Sequence, residues 1–261
     1  MDLGLKGKNA AVTGSSQGIG YAIAMALAEE GCNVALSARG KQRLEQAVAA
    51  IAARNVKSIG VVCDLSSSAG CKKFVDEAAA GLGGIDILVN NVGGMVPGTV
   101  DSISEEQWSQ FLNTSLLSYV WATRYAIPHL KKSKAGRILN VSGISGTQLL
   151  PGALTTTLAN AGIIGLSKQM AAALAADGIT VNNICPGLTN TESWGPRAEA
   201  MAKVRNTTAD EVRKGIAAQT MLGRWAEPRE IGAVAAFLVS ERNAYMTGTT
   251  VEVCGGLTKY I

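Results

Sequence analysis

The chain has one histidine, and that scarcity removes a class of chemistry at the outset. A metal site needs several convergent ligands. His129, in the stretch IPHLKKS near an expected helix end, reads instead as a surface or capping residue. The five cysteines (Cys32, Cys63, Cys71, Cys185 and Cys254) are odd in number, scattered and free of any C-x-x-C. They frame neither a zinc site nor a disulfide scaffold, and no metal is expected. Such usage is that of reduced, mostly buried thiols and predicts a cytoplasmic protein. No run of about 18 apolar residues occurs, and no charged segment followed by an apolar one opens the sequence, so no membrane partner is expected. Blocks of like charge are missing as well. The net charge is +4, but Lys72-Lys73 and Lys131-Lys132 are isolated pairs that suit solvated helix faces, and no nucleic-acid partner is expected.

What the chain does have is length and alternation. At 261 residues it suits one large α/β domain better than two, and a 47% hydrophobic content is enough for a sizeable core. Strands are predicted at 10–12, 33–37, 58–63, 86–90, 136–142, 180–184 and 249–253. Helices are predicted at 17–30, 42–54, from 66–68 to about 81, 105–130, 155–176 and 227–239. The strands are continuous apolar runs, as expected where both faces are covered. The pattern predicts an α/β fold: a single doubly wound parallel sheet with helices on both faces, one domain over 1–261. The stretch 187–224 is the longest without a regular pattern, apart from a short helix at about 208–217. A segment of that length is a lid or binding loop, with a disordered insertion as the alternative. Trp194 and Met201 favour a lid, over about 188–224, that packs on something.

The stretch with the clearest chemistry is Lys8 to Gly20, KNAAVTGSSQGIG. It reads as a buried strand, a turn and the start of a helix. Glycines in such a loop let backbone N–H groups approach an anion with no Cβ in the way. Gly14, Gly18 and Gly20 are spaced G-x-x-x-G-x-G rather than G-x-G-x-x-G. After the second strand comes Ala38-Arg39, where a carboxylate would accept hydrogen bonds from a ribose 2′-hydroxyl and an arginine would pair with a 2′-phosphate. The alternative for Arg39 is a solvated side chain.

These residues, with Asn90-Asn91-Val92-Gly93 after the fourth strand, Asn113 in FLNTSL, Pro186-Gly187 followed by Thr191, and a tail of Gly223-Arg224 to Pro228, Thr247-Gly248 and Gly255-Gly256, resemble the short-chain dehydrogenase/reductase family along essentially the whole chain. The resemblance implies a Rossmann-type domain in which Gly14, Ser15, Ser16, Gly18, Ile19 and Gly20 cradle a dinucleotide. It implies contacts of Asp64 and Leu65 with the adenine edge, further cofactor contacts at Asn91 and Gly93, and contacts of Pro186, Gly187 and Thr191 with the nicotinamide amide. Arg39 without a neighbouring acid favours NADP(H) over NAD(H). By the same resemblance Asn113 helps to hold a proton-relay water, and the two long helices pair in a homodimer or homotetramer.

The resemblance also shows what is missing. The family works with a Ser, a Tyr and a Lys, the last two spaced Y-x-x-x-K on one helix face, where the Lys lowers the phenol pKa and the Tyr passes a proton to or from the substrate oxygen. The family's continuation after the Lys, A-G-x-x-G, matches Ala161-Gly162 to Gly165. That places Asn160 at the Lys, Thr156 at the Tyr and Gly143 at the Ser. Tyr119 and Tyr125 fall on the earlier helix and do not fit. Threonine has no ionisation near neutral pH and asparagine carries no charge. Ser142 or Ser145 remains to polarise a substrate oxygen, so the candidate catalytic residues are Asn113, Ser142, Thr156 and Asn160.

Three readings follow, in this order. The first is a divergent NADP(H)-dependent oxidoreductase acting on a carbonyl or alcohol small molecule. The second is a re-purposed scaffold doing non-redox chemistry (hydrolase, lyase, isomerase or cyclase), with Glu192 or Cys185 near the candidate groups. The third is a non-catalytic nucleotide-binding partner of an active relative. Trp194, Met201, Val204 and Met221 in the lid suggest a partly apolar small-molecule substrate, with ordinary core packing as the alternative.

Overall fold

A computed structural model describes residues 2–150 and 152–258. Among these, β1 (Asn9–Val12), β2 (Asn33–Ala38), β3 (Ser58–Val62), β4 (Ile87–Asn90), β5 (Arg137–Val141), β6 (Thr180–Pro186) and β7 (Thr250–Val253) form one seven-stranded sheet in the order β3-β2-β1-β4-β5-β6-β7. Every pairing is parallel. The helices are α1 (Gly18–Glu29), α2 (Lys41–Ala52), α3 (Ser68–Leu82), α4 (Glu105–Leu112), α5 (Ser118–Lys132), α6 (Leu154–Leu174), α7 (Trp194–Arg205), α8 (Ala209–Ala217) and α9 (Pro228–Val239).

Side chains alternate across the sheet and divide the core into two layers. In β4, Ile87 and Val89 pack with Ile23, Leu27, Leu44 and Leu238 beneath α1, α2 and α9. Leu88 faces the other way, into Phe74, Ala126 and Leu130 of α3 and α5. Each such buried side chain contributes about 1.5–3 kcal/mol of transfer free energy. A ladder of buried polar side chains crosses this core, with Asn90 Oδ1 left without a hydrogen-bond partner among the described residues. Asn90 Nδ2 donates to Thr123 Oγ1 (3.1 Å) and Asn140 Oδ1 (2.9 Å), and Asn140 Nδ2 donates to Ser167 Oγ (2.8 Å). This ladder fixes β4 and β5 against α5 and α6, because slipping it would strand buried amides.

Two segments differ from the sequence pattern. The helix expected at 105–130 is interrupted by a π-helical turn, Asn113–Leu117, between α4 and α5. An inserted residue rotates the helix face without breaking its apolar periodicity, which hides it from the pattern. The stretch 187–224 contains α7 as well as the expected α8. Gly195 and Pro196 read as breakers, yet both lie in the first turn of α7, where N–H groups have no partner within the helix and proline is tolerated. α8 opens with a reciprocal cap between Thr208 and Glu211.

Candidate active site

Strand order reverses between β1 and β4, which opens a crevice beyond their carboxyl ends. Its outer part is a groove of about 360 Å³, lined among others by Gly14, Ser16, Gly18, Ile19, Arg39, Asp64, Leu65, Asn91, Gly93 and Thr191. Gly14 has φ +60°, and a Cβ there would lie 2.8 Å from Val92 Cγ2. α1 begins at Gly18, so the unpaired N–H groups of its first turn lie beside the groove. Asn91 closes the loop from below: its Nδ2 donates to Thr13 O (3.2 Å) and Gly14 O (3.0 Å). Arg39 is exposed at the rim, where Asp64 also sits. The Ser66 N–H bonded to Asp64 (3.0 Å) holds that carboxyl below its usual range, with a smaller contribution from Arg39.

Within the glycine-rich loop, two residues expected to touch the cofactor do not line the groove. Ser15 is fully buried: its hydroxyl donates to Val12 O (2.7 Å) and accepts from Ser37 N–H (3.2 Å), pinning β1 to β2. Gly20 is a packing position, since a Cβ there would collide with the Asn91 amide and the Gly14 carbonyl.

The crevice continues inward into a cavity of about 270 Å³. Ile19, Asn91, Val92, Gly93, Thr191 and Ser193 line both parts, so the two are continuous. Ser142, Thr156, Asn160 and Gly187 line the cavity, as does Ser115, which the sequence did not single out. Ser142 Oγ accepts from Asn183 Nδ2 (2.9 Å) and lies 2.9 Å from Cys185 Sγ. Burial pushes the Cys185 thiol up, which keeps its proton in place. With both neighbours able to donate to Ser142, the serine's own proton is available to the cavity. Ser115 Oγ accepts from Gly94 N–H (3.2 Å), which leaves its proton available too.

The other two expected groups are engaged within the protein. Thr156 Oγ1 donates to Ala153 O (3.0 Å), and Asn160 Nδ2 donates to Ser145 Oγ (2.8 Å). Ser145 is thereby tied to Asn160 and does not line the cavity. A Cβ at Gly143 would approach Asn160 Nδ2 to 2.9 Å, so positions 143 and 160 compete for one space. Tyr119 also lines the cavity, but its hydroxyl donates to Val141 O (2.7 Å), and complete burial pushes the phenol's pKa well up.

Asn113 opens the π-helical turn and lines neither groove nor cavity; Ser115, two residues on, takes the cavity-facing place. Pro186 is buried at the end of β6 and lines neither. Glu192 lines the groove but not the cavity. In the lid, Met201 packs with Trp194 and Trp225, whereas Val204 and Met221 are 87% and 75% exposed and do not face a ligand. No sequence signal marked Ser115, because the π turn shifts the helix face that carries it. Arg197 was missed because it lies in the stretch without a pattern. It lines the cavity, with its Cζ 5.5 Å from the Trp194 ring.

Among the described residues no helix is long and apolar enough to cross a membrane, and no group of three or more His, Cys, Asp and Glu could hold a metal ion.

Residues 14–258 match the family model described as enoyl-(acyl carrier protein) reductase. The chain is 38% identical over 264 residues to the 3-oxoacyl-(acyl-carrier-protein) reductase FabG of Vibrio cholerae, covering 98% of this chain and 99% of that one. It is 33% identical over 251 residues to the FabG of Staphylococcus aureus, covering 96% and 98%. The crystal structure of L-sorbose reductase from Gluconobacter frateurii, complexed with NADPH and L-sorbose, superposes with a TM-score of 0.96 at 31% identity over 100% of both chains. A variant of actinorhodin polyketide ketoreductase with NADPH superposes with a TM-score of 0.92 at 29% identity, covering 97% and 98%.

Proposed function

The chain belongs to the short-chain dehydrogenase/reductase family, and from that premise we propose that it is an NADP(H)-dependent oxidoreductase. It acts on a small carbonyl or alcohol, with Gly143, Thr156 and Asn160 standing where the family's Ser, Tyr and Lys stand. The observation that carries this reading is the continuity of groove and cavity through Ile19, Asn91, Val92, Gly93, Thr191 and Ser193. A dinucleotide seated in the groove presents its reactive end to whatever the cavity holds.

The residues present fit such a cofactor. The space over Gly14 and Gly18 is one that side chains would narrow, and Arg39 stands at the rim with no carboxylate salt-bridged to it among the described residues. NADP(H), when bound, supplies or accepts a hydride at the cavity. The protein's own part is to hold and polarise the substrate oxygen. Ser142 and Ser115 offer hydroxyl protons to it, with Asn183 and Cys185 orienting Ser142. Among the described residues, no acidic, histidine or lysine side chain lines the cavity and the one phenol there is buried and bonded, so the proton at the substrate oxygen comes from solvent. A positioned acid and an oxyanion contact each contribute on the order of 10²-fold or more, so turnover is slow for the family.

A second reading, a nucleotide-binding protein without turnover, is favoured by the engagement of Thr156 and Asn160 in bonds within the protein. Non-redox chemistry finds no general base or ionisable nucleophile among the lining residues. Assembly belongs to the same proposal. α6 leaves Leu158, Ala172 and Ala173 exposed, a face that suits a homodimer, a homotetramer or pairing with an active relative, and light scattering on the purified chain reads it.

The test is a titration with NADPH and NADH followed by nicotinamide fluorescence, then NADPH oxidation over a panel of ketones. Micromolar binding with NADPH preferred, and slow oxidation with one ketone class, is the expected outcome. Absence of binding by either nucleotide overturns the redox reading. Binding without turnover selects the second.

A further inference from the structure

Among the described residues that line the inner cavity, Arg197 carries the only charged side chain. We propose that this cavity is an oxyanion site: Arg197 binds a carboxylate or phosphate carried by the substrate. That the bound anion belongs to a substrate rests on the proposed placement of the cofactor in the neighbouring groove; the anion site itself rests on neither cofactor binding nor turnover.

Four observations support it. First, no Asp or Glu lines the cavity, and among the described residues none forms a salt bridge or hydrogen bond with Arg197. An arginine keeps its charge at any ordinary pH and offers five N–H donors in a planar fork that matches an oxyanion. Second, Arg197 is half-buried, whereas the lid cations Lys203, Arg205, Lys214 and Arg224 are exposed; the other half-buried one, Arg213, already donates to Asn190 Oδ1 (2.8 Å). Third, the guanidinium is held in place. It lies over Trp194, whose ring meets Trp225 edge-on at 4.7 Å, and Trp225 is itself fixed by the Arg213 guanidinium at 4.6 Å and by a bond from its Nε1 to Arg213 O (3.1 Å). A side chain restrained in this way loses less freedom on binding.

The fourth observation separates this site from the cofactor's. Arg197 lines the cavity and not the groove, with Thr191 and Ser193 between them on the wall of both. The pyrophosphate already has the Gly14–Gly18 loop, and a 2′-phosphate has Arg39. A cation facing a cavity otherwise walled by hydroxyls, amides and apolar groups creates a positive potential that a neutral ligand leaves uncompensated. Because Arg197 rides on α7, an anion bound there also ties the lid to the substrate.

The test uses matched ketones that share a carbonyl and differ in charge: acetoacetate against its methyl ester, and dihydroxyacetone phosphate against dihydroxyacetone. Binding to the full chain is read by calorimetry, with and without NADPH. At least one anion is expected to bind about 10-fold or more tightly than its neutral twin, with the preference shrinking as salt is raised. The pair that shows it identifies carboxylate or phosphate. R197Q should abolish the preference and leave NADPH affinity unchanged; R197K, which keeps the charge without the fork, should retain part of it. No preference in the unaltered protein, a preference insensitive to salt, one that survives in R197Q, or no anion bound at up to about 10 mM overturns the inference. Failure of NADPH to bind, with the anion preference intact, would overturn the redox reading alone.

Discussion

The two halves of the crevice hold their ligands by different means. The groove is built around a glycine loop, the start of α1 and the stretches that follow β1, β2, β3 and β4, with Arg39, Asp64 and Glu192 as its charged residues among those described. The cavity is lined by hydroxyl, amide and apolar residues together with Arg197, and in the proposed reading Gly143, Thr156 and Asn160 stand where the family's Ser, Tyr and Lys would stand. A backbone site lasts as long as the fold does. A side-chain site can be rewritten atom by atom, because Thr156 and Asn160 still satisfy their polar groups internally and cost the fold little. On the proposed reading, nucleotide binding and catalysis are thus separable in one crevice.

The most direct way to break this comparison is to restore the cavity. G143S, T156Y and N160K together are expected to raise kcat/KM for ketone reduction by about 10²-fold or more. G143S alone should not, since its Cβ would meet the Asn160 amide at 2.9 Å. Steady-state NADPH oxidation decides; no gain in the triple variant would mean that the cavity differs by more than those three residues.

A smaller effect sharpens the groove side. R39Q removes the one cation placed for a 2′-phosphate, and NADPH should bind about 10-fold more weakly with NADH unaffected. Equal losses for both nucleotides would place Arg39 elsewhere on the cofactor. The smallest effect concerns the base of the lid. Arg224 donates two 2.7 Å bonds to Glu230 at the start of α9, and this pairing pulls the Glu230 carboxyl from its ordinary 4.5 down to about 2. A carboxyl whose pKa is lower in the folded than in the unfolded state adds stability above pH 4.5, and that stability is lost as pH falls toward 2. Thermal unfolding of E230Q should lack this component, by a small margin because the pair is solvent-exposed.

Much of this was legible in the chain. The apolar runs around Ala10, Leu36 and Leu88 gave a parallel sheet because a strand buried on both faces has no polar side to display. The glycine loop and Arg39 were readable because each acts through local backbone or a fixed place after a strand. Ser15, expected at the cofactor, has neighbours in sequence that line the groove, while its own side chain points into the β1–β2 seam. Asn113 itself lines neither part of the crevice, because the π turn brings Ser115 to the cavity-facing position. Trp194–Arg205 was missed as a helix because its first turn carries Gly195 and Pro196.

The sequence by itself determined the fold, the nucleotide loop and the absence of an ionisable acid at position 156, since each depends on residue type and on spacing along one element. Only the tertiary structure decided which hydroxyls and cations share the cavity. Ser115, Ser142 and Arg197 come from three separate elements, and their meeting depends on how the π-helical turn between α4 and α5, the end of β5 and α7 pack around one another, which no local pattern encodes.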